Sequence, residues 1–354
     1  MTGLEGDDST KDRDDEGTGI RTMEEFAAFV GLSRPTVSKY FNDPVSMRAK
    51  TRARIEAAVE QSGFRPNLLA SNLKRSRTRV LGVIIPDNSD PFYMELTRCI
   101  EEIAERAGYF SFVLTSNGQR ERETEAIGRL QSLNVAGAIV VPIGAGETNT
   151  ELARLEARIP LVYVDSRPDH DAPFVGTENG QSFNLIVDYL CRSGEPPAFL
   201  GMPEVNRNAG ARRRAYAAGM RAVGAEPVFL DLPKETTWNF ERVGHAVMTA
   251  ALASHNRPRT VLCANDRLAF GALLAAWEAG LRVGHAEGSD IRIAGHDDHP
   301  LARYTCPPLT TVAQNCKEIA RTAMHKLIAR LDDTGDEGPL CCLLRGDLIL
   351  RASA

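Results

Sequence analysis

Carboxylates and amides recur at one kind of place in this sequence, immediately after short apolar runs. The run 80–86 leads into Asp87-Asn88-Ser89-Asp90-Pro91-Phe92-Tyr93, and the run 160–164 into Asp165, with Arg167 nearby. Asn265-Asp266 follows 260–264, Asp297-Asp298 closes 291–296, and Arg207, Asn208 and Arg212 open a helical stretch after 198–202. Such groups make paired hydrogen bonds to vicinal hydroxyls, and Phe92, Tyr93 or Trp238 can cover the apolar face of a sugar. The competing role for an Asp or Asn after a strand is to cap the next helix. For a single residue the two roles are evenly matched; the whole set favours a polyol or sugar-like ligand. His296-Asp297-Asp298-His299 offers four metal-ligating types in a row, but adjacent residues cannot all turn toward one ion, so no metal is expected. There is no Walker-type phosphate loop and no Gly-x-Ser-x-Gly elbow, and nothing supplies a nucleophile with a proton path. Neither catalysis nor a cofactor is expected.

A second group of residues suggests contact with nucleic acid. In 22–41, TMEEFAAFVGLSRPTVSKYF, Thr22 and Glu25 form a capping box, and Met23, Phe26, Ala27 and Val30 make an apolar helical stripe. Gly31 ends that helix, Ser33 caps the next, and Pro35 sits in its tolerant first turn. Val37 and Phe41 turn inward, which leaves Arg34, Pro35, Thr36 and Lys39 outside. This is the pattern of a helix-turn-helix whose second helix enters a major groove, although an ordinary helical hairpin can mimic it.

Charge distribution separates the two readings. The chain is net acidic at −5, yet residues 20–79 hold twelve Lys/Arg against five acids. Residues 1–19 hold seven acids against two bases, and read as a disordered acidic tail. A basic module on an acidic body suits phosphate binding. Seven cysteines without a disulfide framework fit a reducing compartment. No stretch is long and apolar enough to span a membrane and the acidic start is no signal peptide, so a cytoplasmic location is expected.

These residues must be positioned by two kinds of architecture. A third helix near 49–62 completes a compact three-helix module over 20–66. Residues 67–74, NLLASNLK, have leucines with little to bury them, and a helix that short is unstable alone. With the arginines up to 79 they form a hinge helix and basic linker that needs a partner. From Val80 onward, apolar runs alternate with helices of 12–18 residues, which implies doubly wound parallel sheets. The length of 80–354, with a crossing near Gly176–Gly180, predicts two α/β lobes and a cleft between them. The predicted fold class is therefore an N-terminal three-helix helix-turn-helix module, a hinge helix, and a two-lobed α/β core.

In order along the chain, these residues resemble the lactose/galactose-repressor (LacI/GalR) family of bacterial transcription regulators. The resemblance runs from Ile20 to Ser353. Its most specific pieces are A-x-x-x-G-L-S-R-P-T-V-S-K at 27–39, G-F-R-P-N-x-x-A-x-x-L at 63–73, I-I-P-D-x-x-D-P-F-Y at 84–93, C-A-N-D-R-L-A-F-G-A-L at 263–273, G-H-D-D at 295–298 and P-L-T-T-V at 308–312. It implies that Arg34, Pro35 and Lys39 face base edges, that Ser33, Thr36, Ser38 and Asn42 contact phosphate, and that Leu73, with Ala70 on the same face, wedges into the minor groove. It implies a periplasmic-binding-protein-like core with effector contacts at Asp90, Phe92, Tyr93, Asp165, Asn208, Arg212, Asn265, Asp297 and Gln314; Trp238 lies one position from the usual aromatic. Lobe 1 would comprise about 80–177 plus 309–335, and lobe 2 about 178–308 plus 336–354. Three positions depart from the family pattern: Ser166 displaces the usual arginine to Arg167, Ala215 replaces a glycine, and His296 stands where an aromatic is common. The chain ends at Ala354 without a leucine-heptad tail, so a homodimer on pseudopalindromic operator DNA is expected. The expected function is a ligand-controlled DNA-binding regulator, a repressor rather than an activator or dual regulator, whose effector is a sugar or sugar derivative. A purine or other small metabolite is the alternative, and a sugar-transport protein or an enzyme fits less well.

Overall fold

The computed structural model describes residues 19–66, 78–146, 149–334 and 338–354. The chain divides into two compact units, residues 1–78 and 79–354, each considered by itself.

The first unit is built from α1 (Met23–Val30), α2 (Arg34–Asn42) and α3 (Ala49–Ser62). The Thr22–Glu25 capping box opens α1, and Gly31 closes it in the left-handed region at φ 68°, where a Cβ is unfavourable. The Ser33 side chain accepts the Thr36 N–H at the start of α2. Phe26, Val37, Ile55 and Phe64 are buried together, with the Phe26 and Phe64 rings stacked at 4.4 Å. Arg54 Nη2 donates to Val30 O at 2.6 Å, satisfying a carbonyl at the open end of α1 and tying α3 to it. Ala70 and Leu73 of the expected hinge, most of the acidic tail and the side chain of Asn42 lie outside the described residues.

The second unit has two parallel sheets. In the first, β1 (Val80–Ile85) pairs with β2 (Phe110–Thr115) and β3 (Gly137–Val140); β4 (Leu161–Val164) and β5 (Phe174–Thr177) extend it. In the second, β6 (Ala198–Leu200) lies between β7 (Val228–Phe229) and β8 (Thr260–Cys263), and β8 pairs with β9 (Arg292–Ala294). β1 and β3–β5 are buried throughout, as helices on both faces require, and β6, β8 and β9 likewise. One apolar cluster fills the second lobe and two fill the opposite faces of the first sheet. Among the described residues no helix is long and apolar enough to cross a membrane.

Two boundaries differ from expectation. Residues 309–313, expected in the first lobe, belong with the second, where Leu309 and Val312 join its apolar cluster. The C-terminal segment differs too. Residues 336–354 were expected in the second lobe, but β11 (Cys341–Leu344) pairs in parallel with β5, from Cys341 opposite Phe174 to Leu344 opposite Thr177. The alternation of the strand explains this. Cys341 packs on one core cluster of the first sheet, and Cys342 and Leu344 on the other, so both faces of the strand find apolar partners there. The chain returns to the second lobe only afterwards, where β12 (Asp347–Ile349) pairs antiparallel with β10 (Thr311–Ala313). Cys341 and Cys342 are half-buried free thiols.

Candidate functional site

The first unit presents one polar face. Arg34, Pro35 and Lys39 are exposed on α2, while Val37, on the other side of the helix, is fully buried. Arg34 Nε pairs with Glu24 Oε1 at 2.6 Å. Ser33 Oγ and Thr36 Oγ1 are hydrogen-bonded at 2.7 Å at the N-terminus of α2, where the helix dipole favours an anion. Ser38 is half-buried on the same helix.

In the second unit all ten residues expected at a pocket line a single cavity: Asp90, Phe92, Tyr93, Asp165, Asn208, Arg212, Trp238, Asn265, Asp297 and Gln314. Strand ends and helix starts bring them together. Asp90 caps the helix Pro91–Arg106, and Asn265 caps the helix Asp266–Glu278 through Leu268 N. Both residues therefore serve as helix caps and also face the cavity. Asp165 and Asp297 leave their strands with φ of 61° and 125°, unusual for a residue with a Cβ and typical of strained sites.

The polar groups form a connected set. Tyr93 Oη donates to Asp165 Oδ2 at 3.0 Å, and Asn208 Nδ2 to Asp165 Oδ1 at 3.1 Å. Three donors converge on Asp297 Oδ1: Arg212 Nη2 at 3.0 Å, His296 Nδ1 at 2.9 Å and Gln314 Nε2 at 2.7 Å. Arg212 Nη1 also donates to Ala264 O at 2.8 Å, while its Nε is buried without a partner. Gln314 is held in turn by the Thr177 hydroxyl.

Electrostatics divides the two acids. Burial raises the Asp165 carboxyl to about 6, against the opposing pull of Arg212. Burial also pushes Asp297 upward, but Arg212, His296 and Gln314 together outweigh it and hold the carboxyl below its ordinary value. Burial and then Arg212 lower the His296 imidazole against the opposing pull of Asp297, and the ring stacks on Phe183 at 5.1 Å.

Sequence reasoning missed Met202, Asn206 and Phe240, which also line the cavity. It passed over Arg267, whose Nη1 donates to Asp90 Oδ2 at 3.1 Å, although this residue follows directly on the Asn265-Asp266 pair it singled out. Asp266 itself is fully buried behind the site, accepting Thr311 Oγ1 and the His299 N–H. Arg167 does not enter the cavity; it is exposed and lies 3.5 Å from Asp171. The enclosed space is about 30 Å³, room for about one water and far below the several hundred Å³ of a ligand pocket. The cleft is shut.

Comparison with known proteins places this geometry. Residues 22–67 match the bacterial regulatory proteins of the lacI family, and residues 189–354 a periplasmic binding protein-like domain. The ribose operon repressor of Escherichia coli (strain K12) is 30% identical over 317 residues, spanning 88% of this chain and 93% of that protein. The HTH-type transcriptional repressor PurR of Haemophilus influenzae (strain PittEE) is 26% identical over 320 residues, spanning 90% and 93%. In fold, the chain is similar to the lac repressor dimer bound to operator and the anti-inducer ONPF, with a TM-score of 0.80 and 24% identity over 94% of this chain and 98% of that one. A LacI family transcriptional regulator from Enterococcus faecium with bound ribose matches with a TM-score of 0.66 and 22% identity, over 77% and 98%. With both units matched and a 30%-identical repressor aligned over most of its length, the chain belongs to the lacI family of bacterial regulatory proteins.

Proposed function

We propose that this protein is a sequence-specific DNA-binding repressor whose operator affinity is set by a small, neutral, polyhydroxylated ligand in the cleft of the second unit. The observation that carries the ligand class is the charge pairing of the cavity. Arg212 faces Asp297 and Asp165, and Arg267 faces Asp90 and Glu241, so each guanidinium already has its counter-charge. An anionic ligand such as a sugar phosphate would meet three carboxylates with no unclaimed cation in the lining. Hydroxyls suit the site: they donate to Asp297 Oδ2, which accepts none of the bonds described above, and accept from Arg212 Nε. Phe92 and Trp238 supply apolar walls. Those same rings support a second reading, a purine-like heterocycle stacked between them.

In this reading Arg34, Pro35 and Lys39 meet base edges, Ser33, Thr36, Ser38 and Asn42 meet phosphates, Ala70 and Leu73 enter the minor groove, and two copies read the half-sites of a pseudopalindrome. The protein works in the bacterial cytoplasm, as a repressor of this kind requires. Closure of the cleft biases one of two lobe arrangements, and DNA affinity changes by the differential affinity of the ligand for the two. The test is a thermal-shift screen of the full chain against free sugars, sugar phosphates and purines, followed by operator selection from random DNA and anisotropy with and without the hit. A neutral sugar that raises Tm and changes operator affinity supports the reading; stabilisation by the phosphate ester alone overturns the ligand class.

A further inference from the structure

Arg267 sits in the first turn of the second-lobe helix Asp266–Glu278, and its guanidinium is engaged from both lobes. On its own side Nε donates to Glu241 Oε1 at 2.7 Å and Nη2 to Glu241 Oε2 at 2.9 Å, a planar fork. Across the cleft Nη1 donates to Asp90 Oδ2 at 3.1 Å and lies 3.6 Å from Asp87 Oδ2. The Arg267 and Asp90 side chains are only 13% and 11% exposed, and the guanidinium rests 5.2 Å from the Phe240 ring centroid, so solvent screens the contact across the cleft weakly. The other oxygen of Asp90 accepts the Phe92 N–H at 2.9 Å, which fixes the carboxylate from the first-lobe side as well.

We propose that Arg267 is a positioning residue that clasps the cleft: it ties Asp87 and Asp90 of the first lobe to Glu241 of the second, holds the two lobes together, and must release Asp90 before a ligand can occupy the cavity between them. At about 30 Å³ the cavity cannot hold a sugar with these groups as they stand. Other contacts cross the cleft, including Asn208 Nδ2 to Asp165 and Gly144 N to Val205 O at 2.6 Å. Those are uncharged on at least one side, and Arg212 attracts Asp165 across the cleft as well. The Arg267 contact carries full charge on both, and removing one partner strands the other in a poorly hydrated place. Glu241 keeps the guanidinium aimed across the cleft, so the clasp is pre-oriented. It holds whatever the cleft binds and whether or not the first unit binds DNA; operator affinity of the same variants reports on the proposed function separately.

Hydrogen–deuterium exchange of the full-length protein tests the clasp, comparing wild type with Arg267→Met, Asp90→Asn, the double variant and Arg267→Lys. The exposed Arg259, 3.8 Å from Glu195, provides a control as Arg259→Met. The expected result is several-fold faster exchange in the cleft-facing segments 84–92 and 203–210 for Arg267→Met and Asp90→Asn. Segment 183–190 of the second-lobe core and the control stay at wild-type rates. The double variant is no faster than the faster single, because both break one clasp, and Arg267→Lys falls between wild type and Met. Wild-type exchange at the cleft in a folded Arg267→Met protein overturns the proposal, as does a fully additive double variant. If Arg267→Met does not fold, Asp90→Asn, which leaves the Arg267–Glu241 fork in place, decides by the same criterion.

Discussion

Arg212 organises the second-lobe side of the cavity: it bonds Asp297, caps the strand end through Ala264 O, and keeps one buried donor unused. Arg212→Ala leaves Asp297 buried beside an acidic Asp165 without its cation, so chemical denaturation should show a loss of about 3–5 kcal/mol. The ligand response should vanish while operator binding by the first unit persists, as anisotropy with the identified ligand would show. Asp165 gives a pH dependence of definite sign. Its folded value, about 6, lies above the ordinary 3.8, so its contribution to stability is full below 3.8 and is lost as pH rises through 6. Urea midpoints of wild type should therefore fall from pH 4 to pH 7 more steeply than those of Asp165→Asn, which cannot ionise there. Equal slopes would place the titration elsewhere.

At the scale of elements, α2 is the proposed output surface. Its inward face is occupied by Val37, and its outward face displays Arg34, Pro35 and Lys39. Arg34→Ala or Lys39→Ala should cost about 1–3 kcal/mol on the selected operator and change nonspecific binding little, as competition anisotropy would show. Equal losses on both DNAs would assign these residues to phosphate instead. The loop after β2 offers a second element-scale test. Gly118 has φ 67°, and a Cβ there would lie 2.1 Å from Trp238 Cδ1. Gly118→Ala must displace the indole or strain the backbone, so it should lower stability by about 1–3 kcal/mol and weaken ligand binding. Calorimetric titration and melting of the same variant check both effects.

For the molecule as a whole, the proposed switch requires that ligand and operator each distinguish two arrangements of the lobes. Ligand at a hundredfold excess over its Kd should stabilise the folded protein by about 2.7 kcal/mol, visible as a rise in Tm. Thermodynamic reciprocity then demands that operator DNA change ligand affinity by the same factor that ligand changes operator affinity. Titrating ligand into the free protein and into the operator complex measures both sides of that cycle, and equal ligand affinities in the two would rule out control through this cleft.

Much of the site was legible without a structure, because its cues are local. A capping box, a left-handed glycine, a Pro in a helix's first turn and polar residues after apolar runs all act over a few positions, so Thr22, Gly31, Pro35, Asp90 and Asn265 announce their elements directly. Other features depend on distant parts of the chain. Thr177 meets Gln314, 137 residues away, and Arg267 meets Asp90, 177 residues away. Three donors share one oxygen of Asp297, and Cys341–Leu344 joins the first sheet rather than the second lobe. The amino-acid sequence by itself determined which residues cap, break and face outward, since those properties follow from neighbours along the chain. Only the tertiary structure decided which charges pair and whether the cleft stands open, because burial and distance across the lobes set those energies.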